Sequence, residues 1–167
     1  MSHRTDNIER LIAELNADMD SIADLRLSNE RAAERIDAGA TDQLDYAALG
    51  FTLHNIYGII ENYCLRIAKH FENDTSGDSW HQSLLRRMTL EIPGVRPALL
   101  SQAQLHKLDD LRSFRHAFRH LYARPIDPEK MMLLQRRLPD ALAELRDAHE
   151  GYVTKLKAIA EAARGSE

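Results

Sequence analysis

Residues 101–122 of the chain read SQAQLHKLDDLRSFRHAFRHLY. Within them an apolar side chain recurs every three or four positions, which is the spacing of one face of an α-helix. These side chains are Leu105, Leu108, Leu111, Phe114, Phe118 and Leu121. Ser101 is a suitable N-cap, and Pro125 pushes the residue before it out of the helical conformation. The stretch therefore predicts a helix that begins after Ser101 and ends before Pro125.

The sequence ahead of this helix shows the same periodicity. The pattern runs from Ile8 to Ile36 and stops at Gly39, which predicts a first helix over residues 5–38. Thr41 is a plausible N-cap for a second helix, whose apolar stripe continues to the polar cluster at residues 73–77. Two long helices are therefore expected before a shorter third one.

The remaining helices are marked by their caps and breaks. Asp78 or Ser79 can cap a short third helix, which breaks at Pro93. Asp127, followed by a proline, is typical of the start of a last helix, in which Pro139 is expected to cause a kink or a split. Since no segment alternates like a β-strand, we predict an all-α protein, an antiparallel bundle of four to five main helices.

Length and composition indicate a single domain. A chain of 167 residues can bury one core but is short for two, so we predict one domain with a long N-terminal helix at residues 5–38 and a core at about residues 42–164. No apolar run approaches the roughly 20 residues that span a bilayer, and the start lacks the apolar core of a signal peptide. A cytoplasmic protein without a membrane segment is expected. The single cysteine, Cys64, is interpreted as a buried thiol.

The charge is distributed unevenly along the chain. The net charge of −4 argues against a protein that coats nucleic acid, because such binding needs many contacts from Lys and Arg to phosphate. Residues 111–126 nevertheless contain no acidic side chain and six basic or titratable ones: Arg112, Arg115, Arg119, Arg124, His116 and His120. This basic segment favours a transient, catalytic encounter with a polyanion. A solvated helix face is the alternative.

Three side chains in this segment follow the order R-x4-H-x-Y: Arg115, His120 and Tyr122. A fixed cation can hold a phosphate and the charge of its transition state, and an imidazole can move protons to or from a ribose hydroxyl. The tyrosine adds a hydroxyl that can be modified. Together these groups supply the minimal chemistry of RNA cleavage without a metal.

The spacing of Arg115 and His120 poses a geometric difficulty. Residues five apart on a regular helix point about 140° apart, so the two side chains do not share a narrow face, whereas Arg115, Arg119 and Tyr122 do. Either the helix loosens ahead of Pro125, or two copies of the chain pack so that the Arg and His of both line one cleft. We favour the second explanation.

This arrangement on a late helix of an all-α domain resembles the HEPN superfamily, and most closely its HepT-like branch of toxin ribonucleases. The resemblance rests firmly on residues 108–126 and more loosely on residues 42–142, and the first helix adds nothing to it. It implies a homodimer whose paired Arg and His form a metal-independent endoribonuclease site for an RNA substrate. It also implies a type VII-like toxin-antitoxin pair, in which an MntA-like nucleotidyltransferase antitoxin silences the toxin by AMPylation of the motif tyrosine.

Carried over to this chain, the resemblance makes Arg115 the phosphate-binding cation, His120 the general acid or base and Tyr122 the modification site. The chain departs from the family at His116, where many HEPN motifs carry Asn or Asp. We predict an auxiliary role for His116, with Arg119 and Arg112 as auxiliary or RNA-binding side chains. A HEPN dimer that binds a nucleotidyltransferase or RNA without cutting it is the alternative function.

Several side chains have competing interpretations. His116 and His120 stand four apart on a helix, and three further histidines, His54, His81 and His106, could approach them as metal ligands. The segment lacks the glutamate of a zincin motif, and Arg119 would repel a cation, so we predict neither a metal site nor any other cofactor.

Two of these residues and one carboxylate have a more ordinary interpretation. We treat His54 and His81 as helix or interface histidines without a chemical role. Glu61 can pair with a motif arginine across the bundle, but a solvent-facing glutamate is the commoner case.

Overall fold

The computed structural model describes residues 3–72, 80–120 and 125–165. Within these residues the chain forms five helices and no strand: α1 (His3–Asp37), α2 (Gln43–Glu72), α3 (Trp80–Arg87), α4 (Gln102–Arg119) and α5 (Pro128–Arg164). The prediction of an all-α helical bundle is confirmed. The turn between α3 and α4 contains one isolated bridge, between Ile92 and Arg96.

The caps of the two C-terminal helices are those that the sequence predicts. Ser101 Oγ accepts a hydrogen bond from Gln104 N at 3.2 Å, and the Gln104 side chain accepts one from Ser101 N at 2.8 Å. Asp127 Oδ1 accepts hydrogen bonds from the backbone at Glu129 and Lys130, at 3.1 and 3.3 Å. Both caps satisfy backbone donors that a helix start leaves without partners inside the helix.

The N-cap of α2 differs from the prediction by one residue. Asp42, not Thr41, accepts the first hydrogen bonds of the helix, from Leu44 N at 2.8 Å and Asp45 N at 3.0 Å. A carboxylate is an acceptor only and carries charge that the positive helix end favours, so it competes well with the hydroxyl beside it. The proposed caps of α3, Asp78 and Ser79, lie outside the described residues.

The sequence predicts a kink or a split of the last helix at Pro139, and the split is wrong. α5 continues through this residue for 37 residues in all. Pro139 is exposed, while Leu138 before it and Leu142 after it are buried. An internal proline costs about 3 kcal/mol, but burying a leucine on each side contributes about 1.5 to 3 kcal/mol apiece. Packing therefore outweighs the local preference.

The bundle is built around α2. Helix α1 packs along α2 and α5, and α4 packs between α2 and α5. The core that they share is one apolar cluster, whose most deeply buried members include Ile8, Leu15, Leu49, Leu53, Ile56, Ile60, Met131 and Leu156. Contacts between α1 and α2 join early residues to late ones, Asp18 to Arg66 and Asn29 to Thr52, so these helices run antiparallel.

Buried polar side chains fix the register of α1. Asn29, which is 1% exposed, donates to Thr52 Oγ1 at 2.9 Å and to Gln135 Oε1 at 2.8 Å, and it accepts from Gln135 Nε2 at 2.7 Å. A shift of α1 by one turn would leave these buried amides without partners, at a cost of about 1 to 3 kcal/mol for each lost group. The network therefore holds α1 in one position against α2 and α5.

Two further observations concern sequence predictions. Cys64 is fully buried, as predicted, and its burial raises the pKa of the thiol to about 12. None of the helices in the described ranges combines the length and the apolar character that crossing a membrane requires.

Candidate functional site

The motif helix α4 is held against α2 at unusually close range. A Cβ atom added at Gly50 of α2 would lie 2.5 Å from Cε2 of Phe118. Only glycine leaves room for the Phe118 ring at this point. The ring also packs on Phe114, with 5.7 Å between the ring centroids. The part of α4 that carries the motif is therefore positioned by aromatic packing on α2.

Arg115 lies against α2 and is held there by a carboxylate. Its Nη1 donates a hydrogen bond to Glu61, and its guanidinium carbon lies 5.9 Å from the centroid of the Tyr57 ring. The Arg115 side chain is 21% exposed and that of Glu61 is 16% exposed. The expectation that Glu61 faces solvent is thus wrong, and the pairing with a motif arginine is observed. Glu61 keeps the Arg115 cation in place at the edge of the bundle.

His120 ends the motif helix and remains exposed. It is the C-cap of α4, with φ −111° and ψ 27°, and its Nδ1 lies 3.1 Å from the carbonyl oxygen of His116. Because a carbonyl oxygen only accepts, Nδ1 must carry the proton in this hydrogen bond. Nε2 is therefore the ring nitrogen that is not engaged by this hydrogen bond and is available for proton transfer.

His116 stacks on His120. Their ring centroids are 4.7 Å apart and their planes differ by 30°. Both residues are exposed. The position of His116 fits an auxiliary residue that supports the His120 ring, and its role stays a prediction.

A single chain does not bring Arg115 and His120 together. Within the described residues no hydrogen bond or ring contact joins them: Arg115 faces α2, whereas His120 lines a cleft between α4 and the start of α5. The helix does end ahead of Pro125, as the first of the two explanations requires. This ending does not turn His120 towards Arg115.

The cleft beside His120 has a volume of about 700 Å³. Its walls are mainly apolar and its rim carries charged side chains, and the side chains that line it include Phe114, Ala117, Phe118, Ile126, Met131, Leu134, Asp110, Lys130 and Arg137. Arg137 at the rim is paired with Asp110 at 3.2 Å. The cleft is large enough for a small molecule or a nucleotide.

The other two arginines of the described motif helix differ in how they are engaged. Arg112 Nε donates to Asp109 at 2.5 Å, and this hydrogen bond raises the pKa of Arg112 above its ordinary value. Arg119 is exposed and has no ion-pair partner in the described part of the chain. Arg119 is therefore better placed than Arg112 to meet a phosphate.

His54 of α2 lies beside the motif helix, although its sequence context gave no sign of this. Its ring centroid is 5.4 Å from that of Phe118. Burial lowers the pKa of His54, and the nearby charges of Arg115 and Arg119 lower it further, while Glu61 opposes them. The interpretation of His54 as an ordinary helix histidine therefore omitted its position beside two motif arginines.

Some predicted site residues cannot be placed. Tyr122 and Arg124 lie outside the described residues, as does the side chain of His81. Across residues 3–72, 80–120 and 125–165, no three side chains of His, Cys, Asp or Glu are grouped as metal ligands would be.

The five-helix bundle and the R-x4-H motif at the end of α4 are the features of a HEPN protein. A family model of HepT-like proteins matches residues 48–156. Because this match covers more than half of the chain, the protein belongs to the HepT-like family of the HEPN superfamily. The matched region extends from α2 into α5 and leaves out α1, to which the sequence resemblance also did not extend. No curated protein and no solved structure matches the chain.

Proposed function

We propose that this protein is a metal-independent endoribonuclease, the toxin of a toxin-antitoxin pair. The observation that carries the proposal is the motif itself: Glu61 holds the Arg115 cation in place, and His120 is exposed with its Nδ1 bound to the His116 carbonyl and its Nε2 outside that hydrogen bond. Membership of the HepT-like family supports the proposal. A held cation and an exposed imidazole are the groups that phosphodiester cleavage by a neighbouring hydroxyl needs.

The mechanism follows from these two groups. The ribose 2′-hydroxyl attacks the adjacent phosphorus, and an imidazole accepts the proton that the hydroxyl loses. Arg115 stabilises the additional negative charge on the phosphorane. The bond from phosphorus to the 5′-oxygen then breaks, and this oxygen takes up a proton. The products are a 2′,3′-cyclic phosphate and a 5′-hydroxyl end.

The working unit that we propose is a homodimer. Arg115 and His120 face different sides of α4, so the two side chains of one chain do not reach the same phosphate together. In a twofold dimer, the Arg115 of one copy can face the His120 of the other, and each copy completes the site of its partner.

The decisive assay is RNA cleavage in the presence of EDTA. We expect the protein to cleave a structured RNA in EDTA and to leave 2′,3′-cyclic phosphate ends, which end-group analysis detects. His120→Ala should abolish cleavage, while His106→Ala, on the exposed surface of the same helix, should not. Cleavage that stops only when a metal is chelated would contradict the mechanism.

We propose further that a nucleotidyltransferase antitoxin silences the protein by AMPylation of Tyr122. This residue follows His120 by two positions. An adenylate there adds bulk and negative charge next to the basic segment, so it would both block RNA and neutralise the arginines that attract it.

Tyr122→Phe should therefore remain active and resist the antitoxin. The measurement is cleavage by the wild type and the variant after incubation with the cognate nucleotidyltransferase and ATP, with the mass of each protein recorded. Tyr46→Phe, on α2, serves as the control and should be silenced like the wild type. Silencing of Tyr122→Phe with a gain of one adenylate in mass would show that another residue is modified.

A binding module that does not cut RNA is the second candidate. Two observations favour it: His116 stands where many family members have Asn or Asp, and one donor of Arg115 is already engaged by Glu61. The same cleavage assay separates the two functions, because a binding module would retain RNA or a nucleotidyltransferase and yield no cyclic phosphate.

A further inference from the structure

One face of α2 runs along the motif helix and carries His54, Gly58 and Glu61, which are spaced by four and three residues. Glu61 binds Arg115, and a Cβ atom at Gly58 would lie 3.8 Å from Arg115 Nη1. His54 lies one turn further along the same face, where its ring packs on Phe118. It thus extends the surface on which the Arg115 guanidinium rests.

The surroundings of His54 favour the neutral form of its ring. Burial of the ring lowers the pKa of His54 from its ordinary value, the charges of Arg115 and Arg119 on α4 lower it further, and the charge of Glu61 on α2 does not compensate for them. A neutral imidazole has one N–H group and one unprotonated nitrogen.

The burial of the ring indicates which nitrogen carries the proton. His54 Nδ1 is buried and has no hydrogen-bond partner among the residues that the structure describes, while the residue as a whole is partly exposed. A buried N–H without an acceptor is rarer in proteins than a buried acceptor without a donor. In the neutral ring the proton therefore belongs on Nε2.

We propose that His54 is a further RNA-binding residue of the site, which donates a hydrogen bond from Nε2 to a non-bridging oxygen of the phosphate that Arg115 and Arg119 attract. The inference rests on the proposed function, since it takes RNA as the ligand. A neutral donor can approach a phosphate without adding a third positive charge beside the two arginines.

Two substitutions separate this role from packing. His54→Gln places an amide N–H near the position of Nε2, whereas His54→Leu keeps the apolar contact with Phe118 and removes the donor. We expect His54→Leu to lower kcat/KM for a short RNA by about 100-fold, the lower end of the loss that follows the removal of one donor to a transition-state oxygen. His54→Gln should retain most of the activity. A residue that only packs on Phe118 predicts the reverse order, with Leu tolerated and Gln impaired.

A second measurement uses a 2′-O-methyl oligoribonucleotide, which lacks the attacking hydroxyl and is not cleaved. The wild type and His54→Gln should bind it alike, and His54→Leu should bind it more weakly, with thermal unfolding of each variant checking that it folds. His54-dependent binding without cleavage would refute the proposed ribonuclease but support the role of His54. Equal binding and equal cleavage by His54→Leu would refute the role of His54 alone, and a wild type that does not bind the oligonucleotide would refute both.

Discussion

We expect that neither the Arg115→Ala protein nor the His120→Ala protein cleaves RNA by itself, and that a mixture of the two recovers activity. Each single variant should lose at least about 100-fold in kcat/KM, because each removes either the proton-transfer group or the cation that stabilises the phosphorane. In a site built across two copies, a mixed dimer combines the intact His120 of the first variant with the intact Arg115 of the second. One of its two sites is then complete.

The recovered rate can be estimated. Random exchange of subunits makes about half of the dimers mixed. In each mixed dimer one of the two sites is intact, so about a quarter of the wild-type rate should return. The variants carry different tags, so that mixed dimers can be isolated and assayed directly. Arg26→Ala is the matched control, since Arg26 is a partly exposed arginine paired with Glu30 on α1, and it should stay within about threefold of the wild type.

The experiment also distinguishes the two arrangements of the site. Isolated mixed dimers that do not cleave, formed from variants that fold and dimerise, would show that Arg115 and His120 act within one chain. The helix would then have to open beyond His120 on binding RNA. A monomeric wild type that cleaves would lead to the same conclusion.

The largest loss of stability should follow from Arg96→Met. Arg96 belongs to the segment that joins α3 to α4, and its side chain is completely buried. It donates to Glu72 Oε1 at 2.6 Å, to the carbonyl of Leu90 at 2.9 Å and to that of Arg87 at 2.8 Å. Burial opposes the charge of Glu72, but the hydrogen bonds from Arg96 and Arg87 outweigh it and hold the pKa of Glu72 below its ordinary value.

Removing one member of a buried ion pair leaves the remaining polar groups buried with fewer hydrogen-bond partners. A methionine at position 96 removes the donor to the Leu90 carbonyl and one of the two donors to the Arg87 carbonyl, which still accepts from Leu90 N. The Glu72 carboxylate keeps its pair with Arg87. We expect the free energy of unfolding to fall by about 3 to 5 kcal/mol, the usual cost of breaking a buried ion pair from one side. Since domains of this kind are stable by about 5 to 15 kcal/mol, the variant should unfold at a much lower urea concentration.

Arg66→Met provides the control for this loss. Arg66 also binds two carboxylates, Asp18 and Glu14, but its side chain is 41% exposed. Exposed pairs contribute about 0 to 1 kcal/mol, so this substitution should change the urea midpoint little. Equal effects of the two substitutions would mean that the burial of Arg96 does not set the strength of its pair.

The sequence predicted the helices well because their signals are local. Apolar spacing and the caps at Ser101 and Asp127 depend on residues within one or two turns, and the structure confirms them. Pro139 shows where local signals fail: the proline predicts a split, but the buried leucines on both sides belong to contacts with other helices, and these keep α5 continuous. The burial of Arg96 could not be predicted from the sequence, since no local pattern around this residue indicates burial.

The sequence by itself determined the all-α bundle and the residue types of the motif, Arg115, His120 and Tyr122, and it predicted that Arg115 and His120 are separated around the helix. The tertiary structure decided the surroundings of that motif. It paired Arg115 with Glu61, 54 residues away, and placed His54 beside two motif arginines. The physical reason is that residue type and helical period are local properties, whereas burial, ion pairing and pKa depend on which helices pack together.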